Sequence, residues 1–300
     1  MEHTYPLLID GGLSNVLEAQ GHDLNHALWS AHLLDSNPEA IIQAHYAYLQ
    51  AGAQLITTAS YQASIPGFMA VGYDRTVAES LLLKTVDLAN EAITRFSRTQ
   101  EASFKPLIAA SIGPYGAYLA DGSEYHGNYQ VSKDTLKAFH LERIQLLDRS
   151  PIDLFACETI PDFEEAQVLA EILRGTDKPA WISFSCKDEK HLNDGSKIEK
   201  SLEWFADHPK VFAIGVNCTA PRHISGIIQT MKAKIGDKKV VVYPNSGESY
   251  HAKTKTWMGV SDPDLFVEMA KEWIDLGADI IGGCCRIGPD HVKKLSAVLV

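Results

Sequence analysis

The chain has 300 residues, 45% of them hydrophobic and 22% charged, with a formal net charge of −11 and a pI near 5.5. That balance argues against a nucleic-acid partner, which calls for a basic face, and no apolar run approaches the roughly 18–20 residues needed to cross a bilayer. The opening MEHTYPLLIDGG shows no basic-then-apolar leader, so the expectation is one cytoplasmic globular domain spanning residues 1–300.

Short runs rich in Val, Ile and Ala recur along the chain, each ending in small or polar residues. PLLIDGG (6–12) comes first, followed by NPEAIIQAHYAYLQAGA (37–53), which has helical spacing, Asn37 as N-cap, Pro38 at the first helical position and Gly52 at the close. QLITTAS (54–60), PLIAASIGP (106–114) and DLFACET (153–159) are the next strands. SKDTLKAFHLERIQLLDRS and PDFEEAQVLAEILRG supply helices around the last of these. PAWISFSC (179–186), VFAIGVNC (211–218), KVVVYPNSG (239–247) and ADIIGGCC (278–285) complete the set, interleaved with the helical PRHISGIIQTMKAKIG and DPDLFVEMAKEWIDLG.

Strands apolar on both faces and alternating with helices indicate a parallel sheet. Eight such units fit an α/β fold of the (β/α)8 (TIM) barrel type, a single domain with elaborated βα loops at the C-terminal rim. The rival is an open doubly wound sheet, whose GxGxxG turn is missing where the first strand runs into DGGLSN. The longest stretch without helix or strand period, GPYGAYLADGSEYHGNYQV (113–131), reads as an ordered loop over a site.

The five cysteines are Cys157, Cys186, Cys218, Cys284 and Cys285. An odd number without a secretion signal does not indicate a disulfide framework; in a reducing compartment, clustered thiols serve as metal ligands or catalytic groups. In a barrel, Cys218 at the end of the sixth run and the pair at the end of the eighth share one rim, two strands apart. Neighbouring residues on a regular strand point to opposite faces, so Gly282 and Gly283 are expected to bend the backbone and let both sulfurs turn to one ion. Three thiolates suit Zn2+, with a fourth position left for water or substrate. The competing readings are small buried thiols or a vicinal Cys284–Cys285 disulfide. Cys157 reads as a core thiol, and Cys186 has no assigned role.

DGG (10–12), AGAQLITTASYQAS, CET (157–159), GVNC (215–218) and GGCC (282–285), in that order at strand ends, resemble the homocysteine S-methyltransferase family over essentially the whole chain. The 113–131 stretch is most similar to the branch using S-methylmethionine or S-adenosylmethionine. The resemblance implies zinc on Cys218, Cys284 and Cys285, with the homocysteine sulfur as fourth ligand. It also implies that Asp10, Gly11, Gly12 and Glu158 hold the amino acid end of homocysteine. Thr159 stands where a related branch has a tyrosine able to reach the metal, leaving water, Asn217 or Asn245 as resting fourth ligand.

A sulfonium donor leaves as a neutral thioether and needs no general acid, only alignment and dehydration. Trp29, Tyr61 and Tyr115 are the candidates to face the cation, against plain packing roles; Glu124 could neutralise it instead. Arg286 could bind a carboxylate or offset the anionic cluster, and His251 is the one histidine worth testing. His22, His26, His32 and His45 fit surface or packing positions. The alternatives are a betaine- or other-donor thiol or selenol methyltransferase, and a non-enzymatic zinc or redox barrel.

Overall fold

A computed structural model describes residues 6–99, 104–251, 256–258 and 261–299, with the backbone alone at 249–251 and 256–258. Each of the eight apolar runs forms a strand: β1 (Leu7–Leu8), β2 (Leu55–Thr57), β3 (Leu107–Ile112), β4 (Leu154–Ile160), β5 (Ala180–Phe184), β6 (Val211–Asn217), β7 (Lys239–Tyr243) and β8 (Ile280–Ile281). Their lateral order is β1–β8–β7–β6–β5–β4–β3–β2, parallel throughout. A parallel bridge from Ile9 to Leu55 joins the first strand to the second. That bridge removes the free edges of an open sheet, so the architecture is the (β/α)8 barrel.

The barrel is filled rather than hollow, as such barrels are. Leu7, Ile9, Leu55, Leu107, Leu154 and Val241 pack inside it with the large Trp181. Register explains how an indole fits: Trp181 lies opposite Ala156 on one side and Ala213 on the other. Its Nε1 donates to the Tyr243 hydroxyl at 3.1 Å, so its polar atom is not stranded. A larger apolar layer lies between the strands and the surrounding helices.

The helix Pro38–Gln50 starts and stops where sequence placed it, although Asn37 makes no side-chain cap bond. Gly52 follows with φ +101°, a left-handed turn natural to glycine. Ser132, Asp162 and Asp262 do cap the helices Lys133–Asp148, Phe163–Leu173 and Pro263–Asp275, each accepting from backbone N–H groups of the first turn. The longest helix among the described residues, Arg75–Thr99, lies outside the helical segments expected from sequence; it packs on Pro38–Gln50, where Arg95 pairs with Glu39. No helix among the described residues is long and apolar enough to span a membrane.

Candidate active site

The C-terminal ends of β1, β4, β6 and β8 converge. Just beyond β1, the buried Asp10 carboxylate accepts from Thr57 N at 2.8 Å and from Thr57 Oγ1 at 3.1 Å. The glycines after it are demanded by contact. A Cβ on Gly11 would lie 2.3 Å from the Ile287 carbonyl oxygen, and one on Gly12 would lie 2.8 Å from that of Cys284. The Tyr48 hydroxyl donates to Gly12 O (2.8 Å) or Ile287 O (3.0 Å), and Asn15 bonds both Ile287 O and Arg286 N. The loop after β1 is thereby stitched to the loop carrying the cysteine pair.

The β4–β5 register shifts between Cys157 and Ile160, and Thr159 takes φ +60°, unusual for a β-branched residue. Asn217 pins this kink: its Oδ1 accepts from Thr159 N (2.7 Å) and Ser183 Oγ (2.8 Å), and its Nδ2 donates to Thr159 Oγ1. With Oδ1 committed twice, Asn217 has no lone pair to spare for a metal; its amide nitrogen instead lies 3.9 Å from Cys284 Sγ. The Asn245 Oδ1 accepts from Gly247 N. Glu158, at the kink, accepts from Ser111 Oγ and is hydrogen-bonded to Tyr243, continuing the chain that begins at Trp181.

Burial sets the electrostatics. It pushes the Glu158 carboxyl up to about 7, against the opposing hydrogen bonds of Ser111 and Tyr243. It also raises Asp10 well above the ordinary carboxylate range; the Thr57 bonds oppose this and the Glu158 charge adds to it. Among the described residues, no cation is a cause of either shift. Two desolvated acids side by side form a receptor for a positive group, such as an amino acid ammonium.

The three cysteines meet as the strand ends predicted. Cys218 Sγ and Cys284 Sγ lie 3.9 Å and 4.0 Å from Cys285 Sγ, and the three sulfurs fall within 4.8 Å of one another. Sulfurs sharing one tetrahedral zinc at about 2.3 Å stand roughly 3.8 Å apart, so the donor set fits that ion in number and softness, and in the two separations from Cys285. Desolvation holds the Cys285 thiol up at about 11, a proton that coordination displaces.

Two expectations need correction here. Cys218 and Cys284 are joined in a disulfide, with Cα atoms 5.5 Å apart. The closeness that lets sulfurs share an ion also lets two of them couple, and the vicinal pair is not the one that does. Nor do Gly282 and Gly283 work by unusual dihedrals: neither has positive φ, whereas Cys218 (+45°) and Arg286 (+68°) do. A Cβ on Gly282 would lie 2.3 Å from the Ile9 side chain, and one on Gly283 would lie 2.1 Å from that of Ile287. The glycines give room for the loop to close; the turning is done elsewhere.

Trp29, at φ +45°, meets Tyr61 edge-on with ring centroids 6.2 Å apart. The Tyr61 hydroxyl is hydrogen-bonded to Thr159 and feels the charges of Glu124 and Glu158, so this pair stands beside the acids. Tyr115 makes its ring contacts elsewhere, against Tyr118, Tyr129 and Phe139. Arg286 donates through Nε to Glu248 at 3.0 Å, a partner that sequence did not offer. Cys157 and Cys186 are buried thiols with raised pKa values. His45 is fully buried, with both ring nitrogens unpartnered and its pKa lowered to about 4. The side chain of His251 lies outside the described residues. Sequence reasoning missed Thr57, Ser111, Tyr243 and Tyr125, the last hydrogen-bonded to Cys285. All are ordinary residues singled out only by what they touch.

A filled (β/α)8 barrel with buried acids and a three-cysteine cup at its rim defines a thiol-handling enzyme, and comparison with known proteins gives the reaction class: it is a methyltransferase. The family model for homocysteine S-methyltransferase matches residues 7–299. The chain is 44% identical over 299 residues to homocysteine S-methyltransferase YbgG of Bacillus subtilis, covering 98% of this chain and 95% of that one. It is also 46% identical over 301 residues to homocysteine S-methyltransferase 4 of Zea mays, covering 96% and 88%. The metallated form of the homocysteine methyltransferase MmuM from Escherichia coli superposes with a TM-score of 0.89 at 38% identity, over 99% of this chain and 97% of that one. The chain belongs to the homocysteine S-methyltransferase family.

Proposed function

We propose that the protein transfers a methyl group from a sulfonium donor, S-methylmethionine or S-adenosylmethionine, to the thiol of homocysteine, giving methionine. Zinc on Cys218, Cys284 and Cys285 is its cofactor. The observation that carries this reading is the gathering of three cysteine sulfurs within 4.8 Å of one another beside two buried, raised-pKa acids. The alternative of a non-enzymatic zinc or redox barrel leaves those acids without a purpose. We read residues 1–300 as one cytoplasmic domain acting on small molecules.

Asp10 and Glu158 hold the homocysteine ammonium, whose charge draws both carboxyls back to the ionised form. Gly11 and Gly12 let the loop backbone lie against the cysteine loop. A bound zinc supplies one thing: it keeps the substrate sulfur a thiolate at a pH where a free thiol, with pKa near 8.5, is mostly protonated. Asn217 steadies Cys284 and the β4 kink together. Trp29 and Tyr61 offer ring faces to the donor cation, and no residue need donate a proton, because the leaving group departs neutral. Tyr115 contributes to the donor side through its packing with Phe139 rather than by pairing with Trp29. Because a disulfide removes two of the three thiolates, metal binding requires Cys218 and Cys284 reduced.

The test is methionine formation from homocysteine with S-methylmethionine, S-adenosylmethionine and betaine, using freshly reduced protein with its metal measured. Product from a sulfonium donor with one zinc per chain supports the reading. Undiminished activity in reduced, metal-free protein overturns the zinc assignment, and product from betaine alone overturns the donor.

A further inference from the structure

We propose that Glu124 is the specificity-determining residue for the donor's charge, holding the positive sulfur of the sulfonium. This rests on the sulfonium reading above and names the group that recognises it. Glu124 lies in the turn Ser123–Tyr125 within the 113–131 segment, and its Oε2 is buried without a hydrogen-bond partner. Its charge is felt by the Cys285 thiol and by the Tyr61 hydroxyl, and its neighbour Tyr125 hydrogen-bonds Cys285. The bond from Tyr125 brings this turn to the cup, and the Glu124 charge lies near the side where Tyr61 and Trp29 meet.

A carboxylate oxygen buried without a partner is costly. Burial raises its pKa and Asp121 adds to this, while a hydrogen bond from its own backbone N–H and the nearby His126 partly offset them. The turn is nonetheless held firmly in place. Gly116 brings the preceding helix so close that a Cβ there would lie 2.4 Å from Glu124 N. Buried Glu165 accepts from Tyr115 N at 2.5 Å and from the Tyr129 hydroxyl at 2.9 Å. Arg143, beside His140 in the same network, donates to Gly113 O. Both shoulders of the segment are thus anchored, and the open valence of Glu124 is a standing feature that a cation would fill.

Geometry selects which cation. Methyl transfer needs the donor carbon about 3–3.5 Å from the accepting sulfur, so the donor atom nearest the cup is the sulfonium sulfur and not the distant ammonium. In the reaction the sulfonium C–S bond breaks and its electron pair stays on the departing thioether. The acceptor thiolate pair forms the new S–C bond. Positive charge fades along this path, so Glu124 stabilises the bound donor more than the transition state; it contributes affinity and not rate.

The experiment uses zinc-loaded full-length protein and Glu124→Gln. Each is titrated calorimetrically, without homocysteine, with S-methylmethionine and with 2-amino-5-methylhexanoate, its uncharged isostere in which CH replaces the sulfonium sulfur. Wild type should prefer the sulfonium by about tenfold or more. Glu124→Gln should lose most of that preference, with metal content and homocysteine affinity kept and, in turnover, KM for S-methylmethionine raised while kcat holds or rises. Glu124→Asp, keeping the charge, should retain part of the preference. An unchanged ratio of the two affinities in Glu124→Gln, or equal weakening of both ligands, overturns the inference. If wild type transfers methyl from neither sulfonium, the parent reading falls first, and that outcome is read separately.

Discussion

The two halves of the site are built on different principles. The acceptor half is borne by strand ends, and its groups are satisfied before any ligand arrives: Asp10 by Thr57, Glu158 by Ser111 and Tyr243, Asn217 by Thr159 and Ser183. The donor half is borne by loops: Trp29 in a short turn, and Glu124 in an insertion with an unpaired carboxylate oxygen. On the proposed reading, a common acceptor chemistry is served by the rigid part of the fold, while the donor is read by parts that can vary without disturbing the barrel.

Breaking the acceptor half should cost most. Cys218→Ala should lose metal and reduce transfer by more than about a hundredfold, beyond the 10–100-fold that outer partners of metal ligands are worth. Metal analysis beside a turnover assay checks it; full metal occupancy in the variant would count against the cup. Glu158→Gln should raise the homocysteine KM by roughly ten- to a hundredfold, as expected for losing a hydrogen bond to a charged group, with metal retained. Because the Glu158 carboxyl lies at about 7 and must be ionised to meet an ammonium, kcat/KM for homocysteine should climb as pH rises through about 7. It should fall below that pH as the carboxyl takes up its proton. That limb should vanish from the residual activity of Glu158→Gln.

The donor half should yield less. Trp29→Ala should raise the donor KM by up to about thirtyfold, the limit of a cation–π contact of about 2 kcal/mol, while zinc and homocysteine affinity stay as they were. A change in homocysteine KM instead would move Trp29 to the acceptor side. Smallest of all, Tyr48→Phe removes one hydroxyl joining the β1 loop to the cysteine loop. It should lower unfolding free energy by about 1 kcal/mol, readable in denaturant, and raise homocysteine KM only slightly.

Much of this was legible in the chain. Eight β-rich runs separated by helical stretches gave the barrel, because strands buried on both faces lose their alternation and helices keep theirs. The strand-end positions of Asp10, Glu158, Cys218, Cys284 and Cys285 followed from that count. Arg286 pairs with Glu248, 38 positions away in a different loop, a partner no local pattern announces.

What sequence alone determined was the alternation that closes the barrel and the chemical kinds of residue at its rim: soft sulfurs, carboxylates, glycines. Only the tertiary structure decided the pairings, since they depend on distances between segments far apart in the chain. It showed that Cys218 lies close enough to Cys284 to be either co-ligand or disulfide partner, and that Gly282 and Gly283 are small to admit Ile9 and Ile287 rather than to bend. It also showed that Asn217 is spoken for while Glu124 is not. Periodicity is a local property of a chain; who desolvates and who bonds whom is a property of the packed whole.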